Sequence, residues 1–134
     1  MFSNRSMPGC TVIPVLPYPE IDQAIDWLCQ AFGFTVRLRI GDHRAQLNIG
    51  DGAVILTQGQ HAQHTALVMV RIEDVHRHSA TAVGHGAHLI SAPADHPYGE
   101  RQYSVEDLAG HRWTFSQSIS DVDPMMWGGT PVNL

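Results

Sequence analysis

Nine histidines stand beside thirteen carboxylates in a chain of 134 residues, which makes metal binding the first chemistry to test. A divalent ion draws on imidazole, thiolate and carboxylate donors brought to one point. The spacing here does not bring them together. His43, His61, His64, His96 and His111 fall in or beside predicted turns, where solvent is the ordinary partner. His76 and His78 are two apart on a predicted helix and so cannot share a face. His85 and His88 flank a turn and could meet, but two ligands make a weak site. A rearranged set of Gln58, His64 and His111 stays open.

Other chemistries have less support. All eight basic residues are arginine, which removes a Schiff-base lysine and a phosphate-loop lysine. No serine occupies a Gly-x-Ser-x-Gly elbow, and neither Cys10 nor Cys29 has a neighbouring histidine that suggests a thiolate dyad. The acid pairs Glu73-Asp74 and Glu106-Asp107 sit at helix starts or turns, where capping accounts for them. The glycine-rich turns precede strands and read as hairpins. No catalytic residue stands out.

Composition sets the frame for these residues. A chain of this length holds one domain, and 43% hydrophobic residues with 16% charged ones suffice for a packed core. The formal charge of −5 argues against nucleic acid, whose phosphates call for a basic face. No apolar run approaches the ~20 residues of a membrane-spanning helix. Residues 1–10 lack the apolar stretch of a secretory signal. Two cysteines are too few for a disulfide framework and read as free thiols in a reducing cytoplasm.

The elements that must position any site follow from periodicity. Residues 1–11 read as a flexible arm. A short strand over Val12–Leu16 ends at Pro17-Tyr18-Pro19. Ile21, Ala24, Ile25, Leu28 and Phe32 recur at helical steps over Glu20–Phe32, with Gly33 as the stop. Strands alternate over Phe34–Ile40, Arg44–Ile49 and Ala53–Gln58. After a polar link at 59–64 the pattern returns: a strand over Thr65–Ile72, a helix over Glu73–Val83, then strands at His88–Ala92, Tyr98–Val105 and His111–Ser118. The helix starts Glu20 and Glu73 lie 53 residues apart, and Gly52 and Gly110 lie 58 apart, so the chain is an internal duplication. The fold class is α+β: two tandem βαβββ modules, 12–58 and 65–118, fused into one domain over 12–118. Residues 119–134 form a tail whose Met125-Met126-Trp127 patch must pack on the domain or on a partner subunit.

The runs Ile13-Pro14-Val15-Leu16, Glu20-Ile21-Asp22-Gln23-Ala24-Ile25-Asp26-Trp27-Leu28 and Ala31-Phe32-Gly33-Phe34 resemble the opening of the vicinal-oxygen-chelate superfamily. That superfamily includes glyoxalase I, extradiol dioxygenases, fosfomycin-resistance enzymes and bleomycin-resistance proteins. Val70-Arg71-Ile72-Glu73-Asp74-Val75 resembles the start of its second module. Tyr98 to Phe115, with Glu106-Asp107-Leu108-Ala109-Gly110-His111, is similar to its closing hairpin. The resemblance implies an open, curled mixed sheet around a cavity, a homodimer, and in the family's enzymes a metal held from the first and fourth strands of each module. Alignment on the helix junctions and hairpin glycines puts those four positions at Ile13, Leu56, Leu67 and Thr114. Three aliphatic groups and a hydroxyl cannot hold a divalent cation, and a slip of one residue does no better.

What is left is an apolar hollow lined by Ile13, Val15, Leu56, Leu67 and Met69. Gln58, Arg112 and Thr114 supply polar points, and Tyr98 and Tyr103 stand at the rim. An apolar concavity with a few convergent polar groups suits a small molecule. Arg112, expensive to leave unpaired there, meets either Glu100 or Glu106 or an anionic group of a ligand. The expected function is metal-free and cofactor-free sequestration of an antibiotic or hydrophobic metabolite by a cytoplasmic homodimer, similar to bleomycin-resistance-type members. The alternative is a metal-dependent glyoxalase- or dioxygenase-type lyase or isomerase with a displaced ligand set.

Overall fold

The computed structural model describes residues 4–60 and 67–131. The elements run β1 (Val15–Tyr18), α1 (Ile21–Phe32), β2 (Thr35–Ile40), β3 (Arg44–Ile49), β4 (Gly52–Gln58), β5 (Leu67–Arg71), α2 (Val75–Gly84), β6 (His88–Asp95), β7 (Glu100–Glu106) and β8 (Arg112–Ser118). This is the βαβββ unit twice over. The strands form two four-stranded mixed sheets, ordered β1-β4-β3-β2 and β5-β8-β7-β6. In each, the first strand pairs parallel with the fourth and the other neighbours are antiparallel. The predicted link at 59–64 lies mostly outside the described residues, as do His61 and His64.

Element boundaries follow the sequence closely, with two shifts of three residues: β6 runs on through Pro93 to Asp95, past the expected end at Ala92, and β1 is displaced. β1 starts three residues later than predicted and contains Pro17. A proline removes a ladder donor, which an edge strand tolerates because one of its sides has no neighbour. β1 is such an edge, paired only with β4 among the described strands.

α1 buries Ile21, Ala24, Ile25, Leu28, Ala31 and Phe32, the stripe its spacing predicts, and ends at Gly33 with φ of 80°. That left-handed conformation is why a glycine stands there. Below the stripe lie Ala45, Leu47, Val54 and Leu56, alternate residues of β3 and β4. In the second module Val105, Trp113 and Phe115 do the same work beneath α2. One core serves both halves: Phe32 packs edge-on against Trp113 and Phe115, with ring centroids 5.6 and 4.9 Å away, and Phe34 lies 5.4 Å from Trp113.

The duplication extends to the helix starts. The Gln58 side chain accepts from Ile21 N–H at 3.2 Å, and the Gln117 side chain accepts from Val75 N–H at 2.9 Å. Each module's last strand therefore satisfies a donor at the start of its own helix. Asp74 adds a conventional cap to α2, accepting from Arg77 N–H at 3.1 Å. No helix is long and apolar enough to cross a membrane. The tail forms a short 3-10 helix over Pro124–Trp127, capped by Asp123.

Candidate functional site: the open faces of the two sheets

Each sheet has a face covered by its helix and a face turned away from it. On the second sheet, register places Leu67, Met69 and Arg71 of β5 beside Arg112, Thr114 and Ser116 of β8. Ser104 and Gln102 of β7 continue the same rows. Val68, Val70 and Ile72 point the other way, into the core. This division between neighbours is the period of two of a strand. Leu67 and Met69 are 53% and 58% exposed. Two large apolar side chains therefore stand open beside a polar ladder.

That ladder is closed on itself. Tyr98 Oη donates to Gln102 Oε1 at 3.0 Å, Gln102 Nε2 to Ser116 Oγ at 3.0 Å, and Ser116 Oγ to Glu100 Oε1 at 2.7 Å. Thr114 and Ser104 share a hydroxyl–hydroxyl bond of 2.7 Å. Arg71 donates to Ser118 and stands 3.9 Å from Glu100. The hydroxyls of Ser118 and Ser116, with the Arg71 cation, hold the Glu100 carboxyl below its usual range. Arg112 faces Glu106 at 3.9 Å with half its side chain in solvent, the internal partner rather than an apolar setting. Met69 and Arg71 also line a cleft of about 360 Å³ with Val12, Pro14 and Ala53, where β5 approaches the β3–β4 hairpin.

On the first sheet the open face carries Val15, Ile55 and Gln46, which are register partners. Leu56, expected in the hollow, instead pairs with Leu16 and Ala45 and is fully buried beneath α1. The two hairpins explain the error. Gly52 is followed three residues later by the open-face residue Ile55, Gly110 four residues later by Thr114. Aligning the glycines therefore flips the parity of one strand, and a one-residue slip moves every side chain to the opposite face.

Tyr103 is corrected as well. It pairs with Phe115 on the core side, is fully buried, and its hydroxyl meets His78 Nδ1. Burial raises its pKa. Gln58 is occupied at the start of α1, where it also donates to Pro19 O. Tyr98 stacks on His96 at 5.1 Å and tilts toward Trp127 at 5.2 Å, which seats the tail on the β6–β7 corner. Met125 and Met126 stay 70% and 79% exposed. Ile13 precedes β1 and is half-buried. Leu67, Met69, Arg112 and Thr114 thus share one face, Val15 lies on the other sheet's open face, and Leu56 and Tyr103 belong to the core.

These residues do not fit a metal. With Ile55 in place of Leu56, the family's four positions hold Ile13, Ile55, Leu67 and Thr114, and the one hydroxyl is bonded to Ser104. Among the described residues no group of three or more His, Cys, Asp or Glu is placed to hold an ion.

Two buried polar residues, Asp107 and His111, and the half-buried His78 escaped the sequence reading. Asp107 Oδ2 accepts from Tyr18 Oη at 2.5 Å and from Trp113 Nε1 at 3.1 Å, while Oδ1 accepts from Ala109 N–H and His111 N–H. His111, expected in solvent, is 5% exposed and donates from Nε2 to Pro17 O at 2.7 Å. Its ring leans on Tyr18 at 4.7 Å. His78 is wedged among Phe32, Tyr103 and Phe115, and burial lowers its pKa. Sequence separations of 89 and 94 residues put such contacts beyond local patterning.

Comparison with known proteins agrees with the architecture. No curated protein matches the chain. Among solved structures it is similar to TioX from Micromonospora sp. ML1, with 31% identity over 85% of this chain and 100% of that one and a TM-score of 0.70. A glyoxalase/bleomycin resistance protein/dioxygenase family enzyme from Burkholderia phytofirmans PsJN shares the fold at TM-score 0.70, with 16% identity over 79% of this chain and 96% of that one. A glyoxalase/bleomycin resistance protein/dioxygenase from Alicyclobacillus acidocaldarius does so at TM-score 0.65, with 12% identity over 85% and 95%. The family description that matches, over residues 12–115, is the Glyoxalase/Bleomycin resistance protein/Dioxygenase superfamily. With that match spanning most of its length, and with two βαβββ modules in its fold, the chain belongs to this superfamily.

Proposed function

We propose that the protein binds an antibiotic or another hydrophobic metabolite on the open faces of its sheets and withdraws it from solution without breaking a bond. One observation carries the reading. The positions at which related enzymes hold a metal are aliphatic or hydroxyl here, and exposed Leu67 and Met69 stand beside a polar ladder whose members already bond one another. Fold alone does not choose among activities, so the argument rests on the side chains. Sequestration works by mass action: protein in excess of the dissociation constant lowers free ligand in proportion.

The binding unit is a homodimer in this reading. The end strands β1 and β5 and the exposed side chains of Val15, Leu67 and Met69 offer a second copy both an edge and an apolar surface. The free cysteines Cys10 and Cys29 suit a cytoplasmic location.

Titration with a panel of hydrophobic natural products, followed through Trp27, Trp113 and Trp127 fluorescence, tests binding. Saturable one-to-one quenching, with the compound recovered intact and no stoichiometric zinc, nickel, manganese or iron in the purified protein, is the expected result. A stoichiometric metal together with turnover of the compound would overturn it.

A further inference from the structure

A further cleft lies on the helix side of the molecule, away from both open sheet faces. The last turn of α1 forms one wall and the first two turns of α2 the other, and Ile72, just past β5, completes the lining. The two helices are tied there by His78 Nε2, which donates to Phe32 O at 3.0 Å. The hollow holds about 350 Å³, room for one small molecule. Ala31 and Ile72 give it an apolar surface, and Gln30, Glu73 and Arg77 stand around it.

These polar side chains differ from those of the open face. On the second sheet, Gln102, Thr114 and Ser116 already bond their neighbours. Among the described residues, the side chains of Gln30, Glu73 and Arg77 have no hydrogen bond or ion pair. The start of α2, by contrast, is spent: Asp74 accepts from Arg77 N–H at 3.1 Å and Gln117 from Val75 N–H at 2.9 Å. An anion entering the cleft therefore meets the Arg77 guanidinium and not the helix end. At the facing wall, α1 has no basic residue in its last turn to offset the partial negative charge of its carbonyl end. Glu73 adds a full negative charge. A lone anion is repelled by Glu73 and a lone cation by Arg77, whereas a molecule that carries both charges finds a partner for each.

We propose that this cleft is a separate binding site and that it takes a free α-amino acid with an apolar side chain. The carboxylate pairs with Arg77, the ammonium with Glu73 and the carbonyl end of α1, and the side chain covers Ala31 and Ile72. The site does not depend on sequestration at the open sheet faces, and either reading can fail without the other.

The probe is L-phenylalanine, with 3-phenylpropionate and 2-phenylethylamine as versions lacking the ammonium or the carboxylate. Binding is followed on the isotope-labelled full chain through its main-chain amide resonances. Those of Gln30, Gly33, Arg77 and His78 should shift saturably, and those of Thr114 and Ser116 should stay in place. Each one-charge analogue should bind about tenfold more weakly than L-phenylalanine, the loss that goes with one charge-assisted contact. Arg77→Gln should weaken L-phenylalanine about tenfold without weakening 2-phenylethylamine. Glu73→Gln should weaken it by the same factor without weakening 3-phenylpropionate. Both residues are exposed and hold no other group through their side chains, so the variants keep the fold. Equal affinities for the three probes, or an equal loss for every probe in one variant, would sink the site. So would shifts centred on Thr114 and Ser116, or no saturable shift at millimolar probe.

Discussion

Asp107 shows what a single side chain holds together. Its two oxygens take the Tyr18 hydroxyl, the Trp113 indole and two main-chain donors of the β7–β8 turn, at 5% exposure. Burial, with the Asp107 carboxylate next in effect, pushes the Tyr18 hydroxyl pKa up, so the phenol stays protonated and remains a donor. Asp107→Ala strands those donors and should cost at least about 3 kcal/mol in urea unfolding. Asp107→Asn, which keeps one acceptor oxygen, should cost less. Arg112→Ala should change stability by less than about 0.5 kcal/mol, since its ion pair is long and half in solvent. His78 gives stability a pH dependence. Burial lowers its pKa in the fold from 6.5. Above that value the imidazole is neutral folded and unfolded, and its full contribution is present. As pH falls through 6.5 toward the folded value the unfolded chain takes the proton first, so stability declines. Urea midpoints at pH 7.5 and pH 5 should therefore differ, and His78→Gln should shrink the difference.

At the scale of elements, each helix begins on a glutamine from its module's last strand. Gln117→Ala leaves Val75 N–H without its partner and should cost about 1 kcal/mol, read from the far-ultraviolet signal of α2 under denaturant. Strands, helices and their duplication were legible in the sequence because each follows a local rule: alternation over Arg44–Ile49, a three-and-four stripe over Ile21–Phe32, a glycine at 33. The open face of the second sheet was legible for the same reason, from Val68, Val70 and Ile72 choosing the core. What failed depended on register between strands or on contacts across the chain. Leu56 changed faces because two hairpins differ by one residue. Tyr103 was judged as an aromatic in isolation, without the parity that pairs it with Phe115. Gln46, Asp107 and His111 are buried and bond Ser6, Tyr18 and Pro17, partners that no neighbouring pattern announces.

For the whole molecule, the shared core predicts cooperation between the modules. Phe32, at the end of α1, touches Trp27, Phe34, His78, Trp113 and Phe115. Phe32→Ala should cost about 3–5 kcal/mol and weaken both halves at once. Fluorescence and far-ultraviolet circular dichroism should report one coincident transition in the native chain and in the variant. Separate transitions would mean that the halves are stable alone. The Tyr18–Asp107 and Trp27–His85 bonds, which tie residues 89 and 58 positions apart, argue that they are not. Scission in the connector between residues 60 and 67 therefore yields two adhesive fragments, each carrying half of every cross-module contact. Expressed as separate polypeptides, they are suited to find each other by complementation, and reassembly could be coupled to a split reporter.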